Sequence, residues 1–110
     1  MTRKAEFLAR GERDSSTFDN TFQTLGAALT SPAVLVKIIN DSDTDIDISI
    51  DGGTTEHDYV PNGSFSLYDL RANHGRINDF VFPQGTQFTV RGAAAGTGNV
   101  YLVVIAEVDL

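Results

Sequence analysis

Within the stretch VLVKIINDSDTDIDISIDGG (residues 34–53), Ile46, Ile48 and Ile50 alternate strictly with Asp45, Asp47, Ser49 and Asp51. A period of two sends successive side chains to opposite faces, so the pattern predicts a half-buried strand with isoleucines on a core and carboxylates in water. Helical spacing does not account for it. The fold class that follows is an antiparallel β domain with one wet face.

The rest of the chain reads as short strands separated by turn signals. Phe22 to Leu29 is a weak first strand interrupted by Gly26, and Ser31-Pro32 separates it from the strongly apolar Ala33 to Asn40. Asp51-Gly52-Gly53 supplies positive-φ residues for a tight connection after Ile46 to Ile50. His57 to Val60 is brief and ends at Pro61-Asn62-Gly63. In Ser64 to Leu70 that follows, Phe65, Leu67 and Asp69 share a face opposite Ser66, Tyr68 and Leu70. After a polar loop (72–78) come Phe80 to Phe82, Gln87 to Arg91, the small-residue bend GAAAGTGN and the closing strand Val100 to Val108. That last strand is apolar on both faces up to Ala106, which places it in the interior of a sheet. About eight short strands describe a single all-β, antiparallel β-sandwich or jelly-roll-like domain over residues 21–110. Residues 1–20, polar apart from Phe7, Leu8 and Phe18, read as an N-terminal arm in which AEFLAR has the makings of a short helix.

Length and composition agree with one globular domain: 110 residues, 41% hydrophobic, seven Phe, three Tyr and no Trp. Cysteine is absent, which excludes disulfides, thiolate metal sites and a cysteine nucleophile. The formal charge of −7 is unevenly placed, because residues 1–14 carry four basic against three acidic groups and the rest of the chain is acidic. An acidic body repels phosphate and anionic lipid, so neither nucleic acid nor membrane is an expected partner. The longest apolar run, Val100 to Ala106, is too short to span a bilayer, and MTRKAEF lacks a secretory hydrophobic segment, so a soluble protein is expected.

Candidate chemistry is thin. Asp41, Asp43, Asp45, Asp47 and Asp51 invite a calcium loop, but counting from Asp41 puts Ile46 where the EF-hand needs Gly and Gly52 where it needs Glu. A solvated turn that keeps an edge soluble accounts for them. His57 and His74, with Glu56 and Asp58, have neither the spacing of a metal site nor a nucleophile elbow around Ser64 or Ser66. GAAAGTGN lacks the Lys-Ser/Thr of a phosphate loop and precedes a strand, so it reads as a hinge. Tyr59, Phe65, Tyr68, Phe80, Phe82 and Tyr101 include the aromatics of a sugar-stacking platform, although most sit at core-like alternating positions. The expectation is no catalytic residue, no cofactor and no metal.

The succession VKIINDSDTDIDISIDGGTTEHDYVPNGSFSLYDL, then FVFPQGTQFTVRG, then GTGNVYLVVIAE, resembles small β-sandwich proteins encoded among the structural genes of tailed bacteriophages. It covers about residues 33 to 107 and consists of strand and turn signals, so it bears on the scaffold more than on a site. The resemblance implies a non-enzymatic virion component, made in the bacterial host cytoplasm, of capsid-decoration or neck and tail-connector type. Its partners would be copies of itself, as a homo-oligomer, and other virion proteins of capsid, portal or tail. An arm that orders on a neighbouring subunit would contribute Phe7, Leu8, Arg10, Arg13 and Phe18 to the interface. The alternative is a host-glycan or receptor-binding module of a phage fibre or tail, using loops around Asn73 to Asn78 and Ala93 to Asn99.

Overall fold

A computed structural model describes residues 3–70, 81–94 and 96–109 and shows an all-β chain of two antiparallel sheets. The strands among these residues are β1 (Arg3–Phe7), β2 (Gly11–Asp14), β3 (Gln23–Thr24), β4 (Ala33–Ser42), β5 (Ile46–Ser49), β6 (Asp58–Val60), β7 (Phe65–Asp69), β8 (Thr89–Gly92) and β9 (Gly98–Asp109). The larger sheet runs β1-β9-β4-β7, with β2 following β1 along the same edge of β9. The smaller runs β3-β8-β5-β6.

Alternation along the strands builds the core between the sheets. Val36, Ile38 and Asn40 on β4 and Val100, Leu102, Val104 and Ala106 on β9 point inward and are buried. They meet Ile46 and Ile48 on β5, Val60 on β6, Val90 on β8 and Phe88, while Phe18, Leu25 and Leu29 join the same cluster. Asn40 tolerates this position because its amide donates to the carbonyls of Thr44 (2.8 Å) and Val60 (3.0 Å), and its oxygen accepts from the Ser42 hydroxyl (2.6 Å). Edge-to-face contacts of Phe82 with Tyr68 and Phe88 extend the cluster.

Strand β9 occupies the interior position expected of it, between β4 and the β1/β2 edge. Three local expectations need correction. Of the expected arm 1–20, the described residues 3–20 do not form a free arm, and AEFLAR is not helical: residues 3–7 and 11–14 hydrogen-bond along β9, and a 3-10 turn at Ser15–Thr17 delivers Phe18, 2% exposed, into the core. Backbone pairing holds this segment, and backbone pairing leaves no side-chain period to read. Only Gln23–Thr24 of the expected first strand is extended, because Gly26 turns with φ 72° where its Cα backs onto Gly11. A Cβ on Gly11 would lie 2.8 Å from that Cα. Ile50 lies beyond the end of β5 and is exposed, since Ser49 and Asp51 turn the chain there. Phe80 and the polar loop from Ala72 to Asn78, including His74, lie outside the described residues.

Candidate interaction surface

On the side of β9 away from the core stand Tyr101, Val103 and Ile105. Their cross-strand neighbours on β4 are Ile39, Lys37 and Leu35, and beyond these on β7 come Phe65, Leu67 and Asp69. Phe7 on β1 continues the Ile105 row, and Glu12 on β2 continues the Tyr101 row. The result is a grid of eight large apolar or aromatic side chains with Lys37 at its centre. Phe7 is 71% exposed, Phe65 61% and Leu67 51%, although apolar side chains of this size ordinarily lose most of their surface to a core. Four strand columns about 4.8 Å apart and three rows about 7 Å apart give roughly 400 Å² of sheet. The largest apolar patch of a typical monomer is of this order, and such a patch is often functional.

The grid is edged by charge. Arg10 lays its guanidinium 4.7 Å from the centre of the Tyr101 ring and pairs with Glu12 at 3.6 Å. Asp41 and Ser64 close one end, where Arg10, Ile39, Phe65, Tyr101 and Val103 line a depression of about 420 Å³. Among the described residues, Lys37 has no carboxylate partner, and its cross-strand neighbours are Leu67 and Val103.

The structure divides the residues expected of an interface arm. Phe7 and Arg10 lie on this face. Leu8 packs partly against the core and donates its N–H to the Val104 carbonyl (3.1 Å). Arg13 donates to the Thr24 carbonyl (2.9 Å) and hydroxyl (3.2 Å), and Phe18 is a core residue. These last three fasten the segment to its own domain. Sequence reasoning did not single out Leu35, Lys37, Ile39, Leu67, Val103 or Ile105 as a surface. The available signal was the apolar character of β9 on both faces, which a two-layer sandwich covers on one side only.

The remaining polar clusters serve local structure. Ser49 donates to Asp51 (2.7 Å) and accepts from the Gly53 N–H (3.0 Å), while Asp51 accepts from the Thr55 N–H (2.9 Å). These bonds, the Ser49 hydroxyl first, lower the Asp51 carboxyl to a pKa of about 2. His57 accepts the Ile50 N–H at Nδ1 (3.2 Å) and stands 3.9 Å from Asp51, so its partners belong to this turn. Asp45 accepts from the backbone and side chain of Asn62 (2.9 and 3.0 Å), and the Asn62 N–H first, then the Tyr59 hydroxyl, hold its carboxyl below the usual range. Burial pushes Asp58 upward, but hydrogen bonds from Tyr68, the Tyr59 N–H and Ser66 together outweigh it and leave the carboxyl lowered. Tyr68 is raised, by burial first and then by Asp58. No group of three or more His, Asp or Glu among the described residues is placed to hold a metal ion.

Comparison of the chain with protein-family models, with curated proteins and with solved structures finds no match.

Proposed function

We propose that this is a non-enzymatic structural protein of a tailed-phage virion, a capsid decoration or head–tail connector component that acts by adding buried area between symmetric copies and their neighbours. The observation that carries the reading is the apolar outer face of the larger sheet, set on an otherwise acidic body. A surface of Phe7, Leu35, Ile39, Phe65, Leu67, Val103 and Ile105 gains by leaving water, at about 25 cal/mol for each Å² removed. The resemblance of residues 33–107 to phage structural sandwiches supplies the setting. The N-terminal segment contributes as two strands that widen the sheet and place Phe7 on the face.

The test is particle composition. Mass spectrometry of purified particles from the encoding phage is expected to find the protein at a fixed copy number, and a variant carrying Phe65→Glu and Leu67→Glu to be lost from them. Absence of the wild-type protein from purified particles would sink the reading. The depression where the Phe65 and Tyr101 rings stand beside Asp41 and Ser64 supports a second reading as a glycan-binding module. Specific hits on a glycan array, lost in Tyr101→Ala, would favour it.

A further inference from the structure

We infer that the occupant of the outer face of the larger sheet is the same face of a second copy, in a two-fold, sheet-on-sheet pair. The inference rests on the structural reading above and names the partner in it.

Three observations favour a second copy. The first is sign: two copies of a net-acidic chain repel one another, and least where a face carries little net charge. On the grid, Lys37 in the middle and Arg10 at the edge nearly balance the marginal carboxylates of Glu12, Asp41 and Asp69. The body beyond is net acidic, so the grid is where two copies approach with least repulsion.

The second is shape. Sheets stack face to face about 10 Å apart with strands near −30° because both carry the same right-handed twist. Two copies of one sheet meet that condition by identity. The third is area. Two faces of roughly 400 Å² in projection total about 800 Å², and the relief of the side chains brings the accessible area to the ~1,000 Å² that separates a specific contact from an incidental one.

The pairing also accounts for β4 and β9. Apolar residues on both sides of a strand belong to a sheet covered on both sides. The smaller sheet covers one side, and the second copy covers the other.

The experiment is sedimentation equilibrium of the full 110-residue chain over a wide concentration range, with Leu67→Glu and Tyr59→Glu alongside. Both substituted positions are more than half exposed and lie on opposite outer faces, so each variant is expected to fold, as circular dichroism will verify. The wild type is expected at twice the 11.9 kDa chain mass. Leu67→Glu should weaken the pair about 100-fold, because it puts carboxylates into a desolvated centre. Tyr59→Glu should leave it unchanged.

A wild type that stays at the single-chain mass at every concentration overturns the inference. So does a pair that survives Leu67→Glu, or one that Tyr59→Glu breaks. The outcomes also separate this inference from the structural reading. A single-chain species whose incorporation into particles still falls with Leu67→Glu overturns the second copy and leaves the virion role standing. A pair broken by Leu67→Glu, in a protein absent from particles, supports the second copy and removes the role.

Discussion

The smaller sheet ties the polar groups of its outer face to one another, while the larger sheet leaves a charge among hydrocarbons. Across the smaller sheet the middle row is Tyr59, Asp47 and Arg91, in cross-strand register. Arg91 reaches Asp47 at 2.8 Å, pairs with Glu56 and covers the Phe22 ring at 4.6 Å. Across the larger sheet the corresponding row is Leu67, Lys37 and Val103. Both faces are outer faces of antiparallel sheets over one core, and both centre on a charged residue. Cross-strand pairing satisfies the charge on one and surrounds it with methyl groups on the other. The first is a finished protein–water boundary, and the second has the character of half an interface.

Adjacent residues on β4 test the contrast most sharply. Ile38 is fully buried between the sheets, and Ile38→Ala is expected to cost about 3 kcal/mol of unfolding free energy in denaturant titration. Ile39 points the other way. Ile39→Glu should leave the unfolding free energy of the single chain within about 1 kcal/mol while weakening self-association about 30-fold in sedimentation. Equal stability losses at the two positions would mean that the outer face is not outer. On the smaller sheet, Arg91→Ala should remove about 1 kcal/mol, by exposing Phe22 and leaving Asp47 and Glu56 side by side, with no change in association. Lys37→Leu is a milder probe: it spares the pair the desolvation of an ammonium group and should tighten it a few-fold. Weaker association in that variant would show that Lys37 has a carboxylate partner across the interface.

The smallest effect lies in the β5–β6 turn. Asp51 is lowered from 3.8 to about 2, so its hydrogen bonds favour the folded state fully above about pH 4 and lose that contribution as pH falls toward 2. Carboxyl ¹³C shifts are expected to give Asp51 a midpoint near 2, and Asp51→Asn should remove this part of the acid dependence. A midpoint at 3.8 would show that the Ser49–Asp51–Thr55 turn is not formed in solution.

What the sequence disclosed follows from which forces leave a period. β4, β5 and β9 bury alternate side chains against the core, so their positions and the interior place of β9 were readable. β1 and β2 are held by backbone hydrogen bonds to β9, and Lys4 to Phe7 stay exposed, so no alternation marks them. Phe18 is a single aromatic in a polar stretch, and only the fold shows that it plugs the core. β7 defeats periodicity for another reason. Phe65 and Leu67 on one side and Tyr68 on the other are all large and apolar, and the pattern separates two faces without saying which is wet. The candidate surface was therefore half legible, its β9 rows implied and its β7 column undecided.

The central place of β9 bears on how the chain is made. The partners of β9 in β1, β2 and β4 all leave the ribosome before residues 98–109 do. Every strand of the smaller sheet is likewise available first. Until β9 emerges, β1 and β2 lack the strand they pair with among the described residues, and the apolar run of β4 lacks its longest neighbour. Translation thus delays closure of the larger sheet to the entry of one late strand between two waiting edges, and completes the outer face only then.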